Sequence, residues 1–141
     1  MNGYLLDTVT VSEGSRPRAN AGLAAWLRSV NESDTYLSVV TVGEIKQGIA
    51  LLEPGTDRRN SLERWLAFDL IARFGRRVLS FDVEAAQLWG TLIASARERG
   101  ALLAIVDSQI AAIAALHQLT VVTRNERHFT QSGVPTLNPW S

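Results

Sequence analysis

Tyr4-Leu5-Leu6-Asp7-Thr8-Val9-Thr10-Val11 (YLLDTVTV) is an apolar, β-branched run with a carboxylate at its centre. Its valines and threonines predict a buried strand. An ionised aspartate in a dry interior costs several kcal/mol unless something pairs with it. Two readings resolve the conflict. Either Asp7 stands at the strand's end and forms a turn, or it is an acid that waits for a cation. The stretch alone leaves both open, so its companions must be sought along the rest of the chain.

The chain has 141 residues, the size of one ordinary domain with room for a real core, and is read as a single unit over 1–141. With 46% hydrophobic and 20% charged residues it has a globular composition. Fourteen basic and 14 acidic side chains cancel, so a nucleic-acid partner has to be held by a local basic patch. Cysteine is absent, which excludes disulfides and thiolate zinc sites, and His117 and His128 are too isolated to form a zinc constellation. No basic flank precedes a long apolar run and no stretch approaches membrane-spanning length, so a cytoplasmic location is expected.

Outward from the first run, strands and helices alternate. Gly14-Ser15-Arg16-Pro17 reads as a turn, and Ala21–Val30 has helical spacing with Leu23, Trp26, Leu27 and Val30 on one face. Thr35–Val40 reads as a strand, followed by Thr41 and Glu44 in the spacing of a capping box. The helix they open runs to about Leu52, before the breaker Pro54-Gly55. A third helix covers Asp57–Phe74, a short strand Val78–Phe81, and a fourth helix runs from Asp82 or Val83 to Arg99, stopped by Gly100. Val106–Leu116 is helical, Leu119–Thr123 is a strand, and Val134–Leu137 is read as an edge strand. This alternation predicts an α/β fold with a mostly parallel sheet of four to five strands, covered on both faces.

Ligands of such sheets bind at the carboxyl ends of the strands. Asp7 ends the first strand, Glu44 opens the helix after the second, and Asn125 follows the strand Leu119–Thr123, which brings all three to one rim. Asp107 shares a helix face with Ile110, Ala111 and Ala114, while Ser108 and Gln109 are expected to point elsewhere. Each acid also has a plainer role: a turn former at Asp7, a capping-box acid at Glu44, a dipole partner at Asp107. Convergence on one rim argues against three independent structural acids. Converging carboxylates repel, which raises their pKa values unless a cation neutralises them. Oxygen-only donors suit Mg²⁺ or Mn²⁺, and such an ion serves phosphodiester or phosphomonoester hydrolysis. The residues therefore point to a metal-dependent nuclease or phosphatase.

The stretches YLLDT, YLSVVTVGEIKQGIALL, RVLSFD, IVDSQIAAIAALHQLTVVTRN and GVPTLNPW resemble PIN-domain proteins, and more narrowly the VapC and FitB-like toxins of toxin–antitoxin pairs. The resemblance spans nearly the whole chain in order. It implies a Rossmann-like α/β/α sandwich and Mg²⁺- or Mn²⁺-dependent endoribonuclease activity. It also implies a cognate VapB- or FitA-like antitoxin, a toxin homodimer and a larger toxin–antitoxin assembly. Matched position by position, Asp7, Glu44 and Asp107 are the metal-binding acids, and Asn125 stands at a fourth, catalytic position. An acid found three residues further on in some relatives is here His128, which is read as a surface loop residue.

One departure stands out. The family pattern Leu-Asp-Thr-Asn here ends in Val9, which removes a hydrogen-bonding side chain near Asp7. The alternative is therefore a catalytically impaired module that binds antitoxin or RNA without cutting. A haloacid-dehalogenase-like phosphatase fits worse, because its second aspartate would also fall on Val9. Arg124 and Arg127 flank Asn125 and are expected to clamp RNA phosphates, with Lys46 near Glu44 as a further contact. Arg73, Arg76 and Arg77 are read as structural, the helix tryptophans Trp26, Trp65 and Trp89 as core, and Trp140 as a pin for the chain's last residues.

Overall fold

A computed structural model of the chain describes residues 3–141. Its elements are β1 (Tyr4–Leu6), α1 (Thr8–Gly14), α2 (Ala21–Ser29), β2 (Thr35–Ser38), α3 (Val39–Ala50), α4 (Asp57–Arg64), α5 (Ala72–Phe74), β3 (Val78–Leu79), α6 (Val83–Glu98), α7 (Ile105–Leu116), β4 (Thr120–Val122), α8 (Arg127–Thr130) and β5 (Thr136–Leu137). The five strands form one parallel sheet in the order β3-β2-β1-β4-β5. The expected edge strand is present as β5, paired to β4 through Val121↔Thr136 and Val122↔Leu137.

Side chains alternate across each strand, and the sheet separates two apolar layers accordingly. Leu5 and Val121 face Ala85, Ile110, Ala111, Ile113 and Ala114, from α6 and α7. Leu6, Leu37 and Val122 face the other way, onto Val11, Ile45 and Ile49 from α1 and α3, and onto Leu66, Leu70 and Phe74. The result is an α/β/α sandwich.

Three boundaries correct the sequence reading. The first run is not one strand: β1 stops at Leu6, and Thr8–Gly14 is helical despite four successive β-branched residues. Tertiary context overrides propensity here. Asp7 caps the helix by accepting from the Thr10 backbone N–H at 2.9 Å, and Thr10 and Val11 are buried. The second correction concerns the capping box. β2 ends at Ser38, whose Oγ accepts from the Thr41 N–H at 3.0 Å, so Ser38 is the cap and Thr41 lies inside α3. The third is a π-helical stretch, Trp65–Ile71, between α4 and α5, where one uninterrupted helix was expected. The stop at Gly100 is as expected: its φ of +76° is the left-handed conformation that ends α6.

Candidate active site

The carboxyl ends of β1, β2 and β4 assemble the site. Asp7 is buried, 6% exposed, and is held by its own backbone neighbourhood. Its Oδ1 accepts from Thr10 N–H and its N–H donates to Val122 O at 3.2 Å. Only one carboxylate oxygen is used by the cap, which leaves Oδ2 for the rim.

Glu44, released from the capping role, is tied to the β1–α1 corner instead. The hydroxyl of Thr8, the residue after Asp7, donates to Glu44 Oε1, and Thr41 Oγ1 lies 3.1 Å from the same hydroxyl. Thr41 is fully buried. This hydroxyl pair was invisible in the sequence because Thr8 looked like a strand residue and Thr41 like a cap. The one available signal was the threonine directly after Asp7.

Asp107 sits in the first turn of α7, its side chain 27% exposed, with Oδ2 3.1 Å from His128 Nδ1. Burial raises its carboxyl above the ordinary aspartate range, His128 offsets part of that rise, and the negative charge of Asp7 adds to it. Asp7 and Asp107 therefore feel one another. His128 is exposed, as expected, but it lies on the short helix α8 and not in a loop, and its ring contacts the third acid.

Asn125 lies exposed just beyond β4, held by its N–H to Thr123 Oγ1 at 3.0 Å. Arg124 and Arg127 are exposed on either side of it. Lys46 takes a different course: it is two residues from Glu44 on α3, which turns it to another face, and its Nζ pairs with Glu63 Oε1 of α4 at 3.0 Å. Lys46 thus takes part in an exposed interhelical ion pair on a face of α3 other than that of Glu44. Ser108, expected to point away from the apolar layer, is buried: Trp89 Nε1 donates to its Oγ at 2.8 Å. Arg77 donates to the Thr35 carbonyl at 2.7 Å, which fits its structural reading.

Among the described residues, no three His, Asp or Glu side chains are already set to hold one ion. Each carboxylate is drawn to its own donor: Asp7 to the Thr10 N–H, Glu44 to Thr8, Asp107 to His128. The donor chemistry still fits a hard divalent cation. Three carboxylates and an amide oxygen stand at one sheet edge with no sulfur, and the mutual repulsion of Asp7 and Asp107 is what a cation relieves.

The PIN domain family matches residues 4–133. The chain belongs to that family. Toxin FitB of Neisseria gonorrhoeae is 39% identical over 136 residues, covering 96% of this chain and 97% of that protein. The VapC ribonuclease Y4jK of Sinorhizobium fredii is 32% identical, covering 96% of each. The solved structure of FitAB bound to an IR36 DNA fragment superposes with a TM-score of 0.89 at 37% identity, covering 98% of this chain and 96% of that one. The chain is thus a PIN domain of the VapC and FitB toxin group. Asp7, Glu44 and Asp107 are the acids of its sheet edge, and no described helix is long and apolar enough to cross a membrane.

Proposed function

We propose that this PIN domain is the toxin of a toxin–antitoxin pair and a metal-dependent endoribonuclease. Similarity to a VapC ribonuclease and to FitB supports the class. The observation that carries the site is the half-buried carboxyl of Asp107, which lies 3.1 Å from His128 and is raised by desolvation, with His128 offsetting part of the rise and Asp7 across the sheet edge adding to it. Asp7, Glu44 and Asp107 hold Mg²⁺ or Mn²⁺ in this reading, with Asn125 able to add its amide oxygen or orient a water. When bound, such an ion neutralises phosphate charge and lowers the pKa of a coordinated water.

The chain's own residues do the rest. Asp7 is fixed by the α1 cap and Glu44 by Thr8, so two acids are oriented before substrate arrives. Arg124 and Arg127 offer guanidinium groups to phosphates flanking the scissile bond. The partner is a small antitoxin of the FitA or VapB kind, by analogy with the FitAB assembly.

A second reading, a module that binds without cutting, draws on His128, which already takes Asp107 Oδ2. Val9 gives it less support. It is exposed on α1, and the bonds that hold Asp7 come from Thr10 and Val122, not from residue 9. RNA cleavage with Mg²⁺ or with EDTA separates the two. Cleavage that needs the ion and disappears in Asp7→Asn and Asp107→Asn is the expected result. RNA binding with no cleavage under either condition would establish the binding module.

A further inference from the structure

Arg124 leaves the sheet at the same edge as Asp7. Asp7 N–H pairs with Val122 O, and Arg124 stands two residues past Val122. Its guanidinium lies over the Trp140 ring, 5.3 Å from the centroid. Other arginines are spent on the fold: Arg77 donates to Thr35 O at 2.7 Å and Arg99 to Gln131 O at 2.7 Å. The Arg124 guanidinium enters none of the ion pairs among the described residues. Stacking occupies the face of the guanidinium plane and leaves its edge, with the fork of N–H donors, free for a phosphate.

Trp140 is itself held firmly. Its N–H donates to Asn138 Oδ1 at 3.0 Å. Ser141 next to it is clamped by the Asn20 side chain, which accepts from Ser141 N–H and donates to Ser141 O, each at 3.0 Å. Gly22 N–H donates to Ser141 Oγ at 3.0 Å. A Cβ at Gly22 would stand 2.6 Å from Pro139 O, so glycine is what lets the segment sit against α2. The indole N–H of Trp140 is buried and makes no hydrogen bond. The residue's contribution is therefore its ring face, not its donor.

We propose that Trp140 is a positioning residue for Arg124: the segment 138–141, anchored on α2, holds the guanidinium at the acidic edge to receive a backbone phosphodiester of single-stranded RNA. The inference rests on the proposed ribonuclease reading and adds to it a named phosphate contact and the ring that fixes it. Stacking restricts the rotamers of a long side chain, so less entropy is lost when phosphate binds.

The test is a double-mutant cycle on binding of a labelled, mixed-sequence single-stranded RNA in EDTA, read by fluorescence anisotropy across a salt series. Arg124→Ala weakens binding and reduces the salt slope by about 0.7, the share of one phosphate on a single strand. Trp140→Leu keeps apolar volume, removes the ring face, and weakens binding about two- to five-fold, the range of an exposed cation–π contact. Trp140→Phe restores wild-type binding, and Trp140→Leu has no further effect once Arg124 is alanine. Equal weakening by Trp140→Leu with and without Arg124, or none in either, overturns the positioning role. Unchanged binding in Arg124→Ala overturns the phosphate contact itself. RNA cleavage that is absent while the cycle holds would instead break the ribonuclease reading and leave the contact standing. Should Trp140→Leu not fold, the wild-type Arg124 Nε–H resonance decides: a ring-current shift that moves on RNA titration is expected, and its absence contradicts the stacking.

Discussion

The two sides of the acidic edge are built differently. On the β1–α3 side the groups are buried or half-buried and bonded internally: Asp7 caps α1, Thr8 holds Glu44, and Thr41 is sealed beneath them. On the β4–α8 side Arg124, Asn125, Arg127 and His128 are exposed, and only His128 reaches across, to Asp107. The first side is fixed by folding alone, because its bonds double as helix cap and interhelical link. On the second, His128 meets Asp107 and Arg124 lies over Trp140, and the remaining groups are left for ligand and substrate to organise. Stability and function are therefore coupled on one side and separable on the other.

Asp7 is where that coupling can be broken most cleanly, and the largest effect is expected there. Asp7→Ala removes both the carboxylate and the cap, costing about 1 kcal/mol of stability together with all metal-dependent cleavage. Asp7→Asn keeps a good cap and so keeps the melting temperature, yet still abolishes cleavage. Equal melting temperatures for both variants would show that the cap contributes nothing.

Thr8→Val comes next. It leaves the Glu44 carboxylate without its donor, and Mn²⁺ affinity measured by calorimetry should fall about 10- to 100-fold, as for other residues that orient a metal ligand. Unchanged affinity would remove Thr8 from the site.

On the open side, His128→Ala takes away the partner that offsets Asp107's raised pKa, so that pKa climbs further. Because the folded carboxyl titrates above its unfolded value of about 3.9, its stability contribution is present below that value and is lost as pH rises through the folded pKa. Metal competes with the same proton. Mn²⁺ binding followed against pH should thus fail at a higher pH in His128→Ala than in wild type; a shift to lower pH would contradict the assignment. The smallest effect belongs to Lys46→Ala, which opens an exposed ion pair worth less than about 1 kcal/mol and leaves RNA affinity unchanged.

The sequence revealed the sheet's strand and helix alternation because apolar periodicity survives small boundary errors. What it misjudged were residues with two possible local roles. Thr8-Val9-Thr10-Val11 has strand propensity, and only the cap from Asp7 with burial of Thr10 and Val11 makes it helix. Glu44 looked like a capping acid because Thr41 stands three residues before it, but Ser38 takes the cap and frees the carboxylate. The contacts of His128 with Asp107 and of Trp140 with Arg124 join residues 21 and 16 positions apart, which no local pattern encodes. The acids were legible because carboxylates placed where strands end are costly without a purpose.

The claim beneath all of this is that Asp7 and Asp107 serve one cation. Calorimetric titration of Mn²⁺ into wild type, Asp7→Asn, Asp107→Asn and the double variant tests it directly. Wild type should bind, and either single substitution should remove binding as completely as both together. Equal heats in wild type and Asp107→Asn, or independent partial losses that add in the double variant, would show that the two carboxylates do not share an ion.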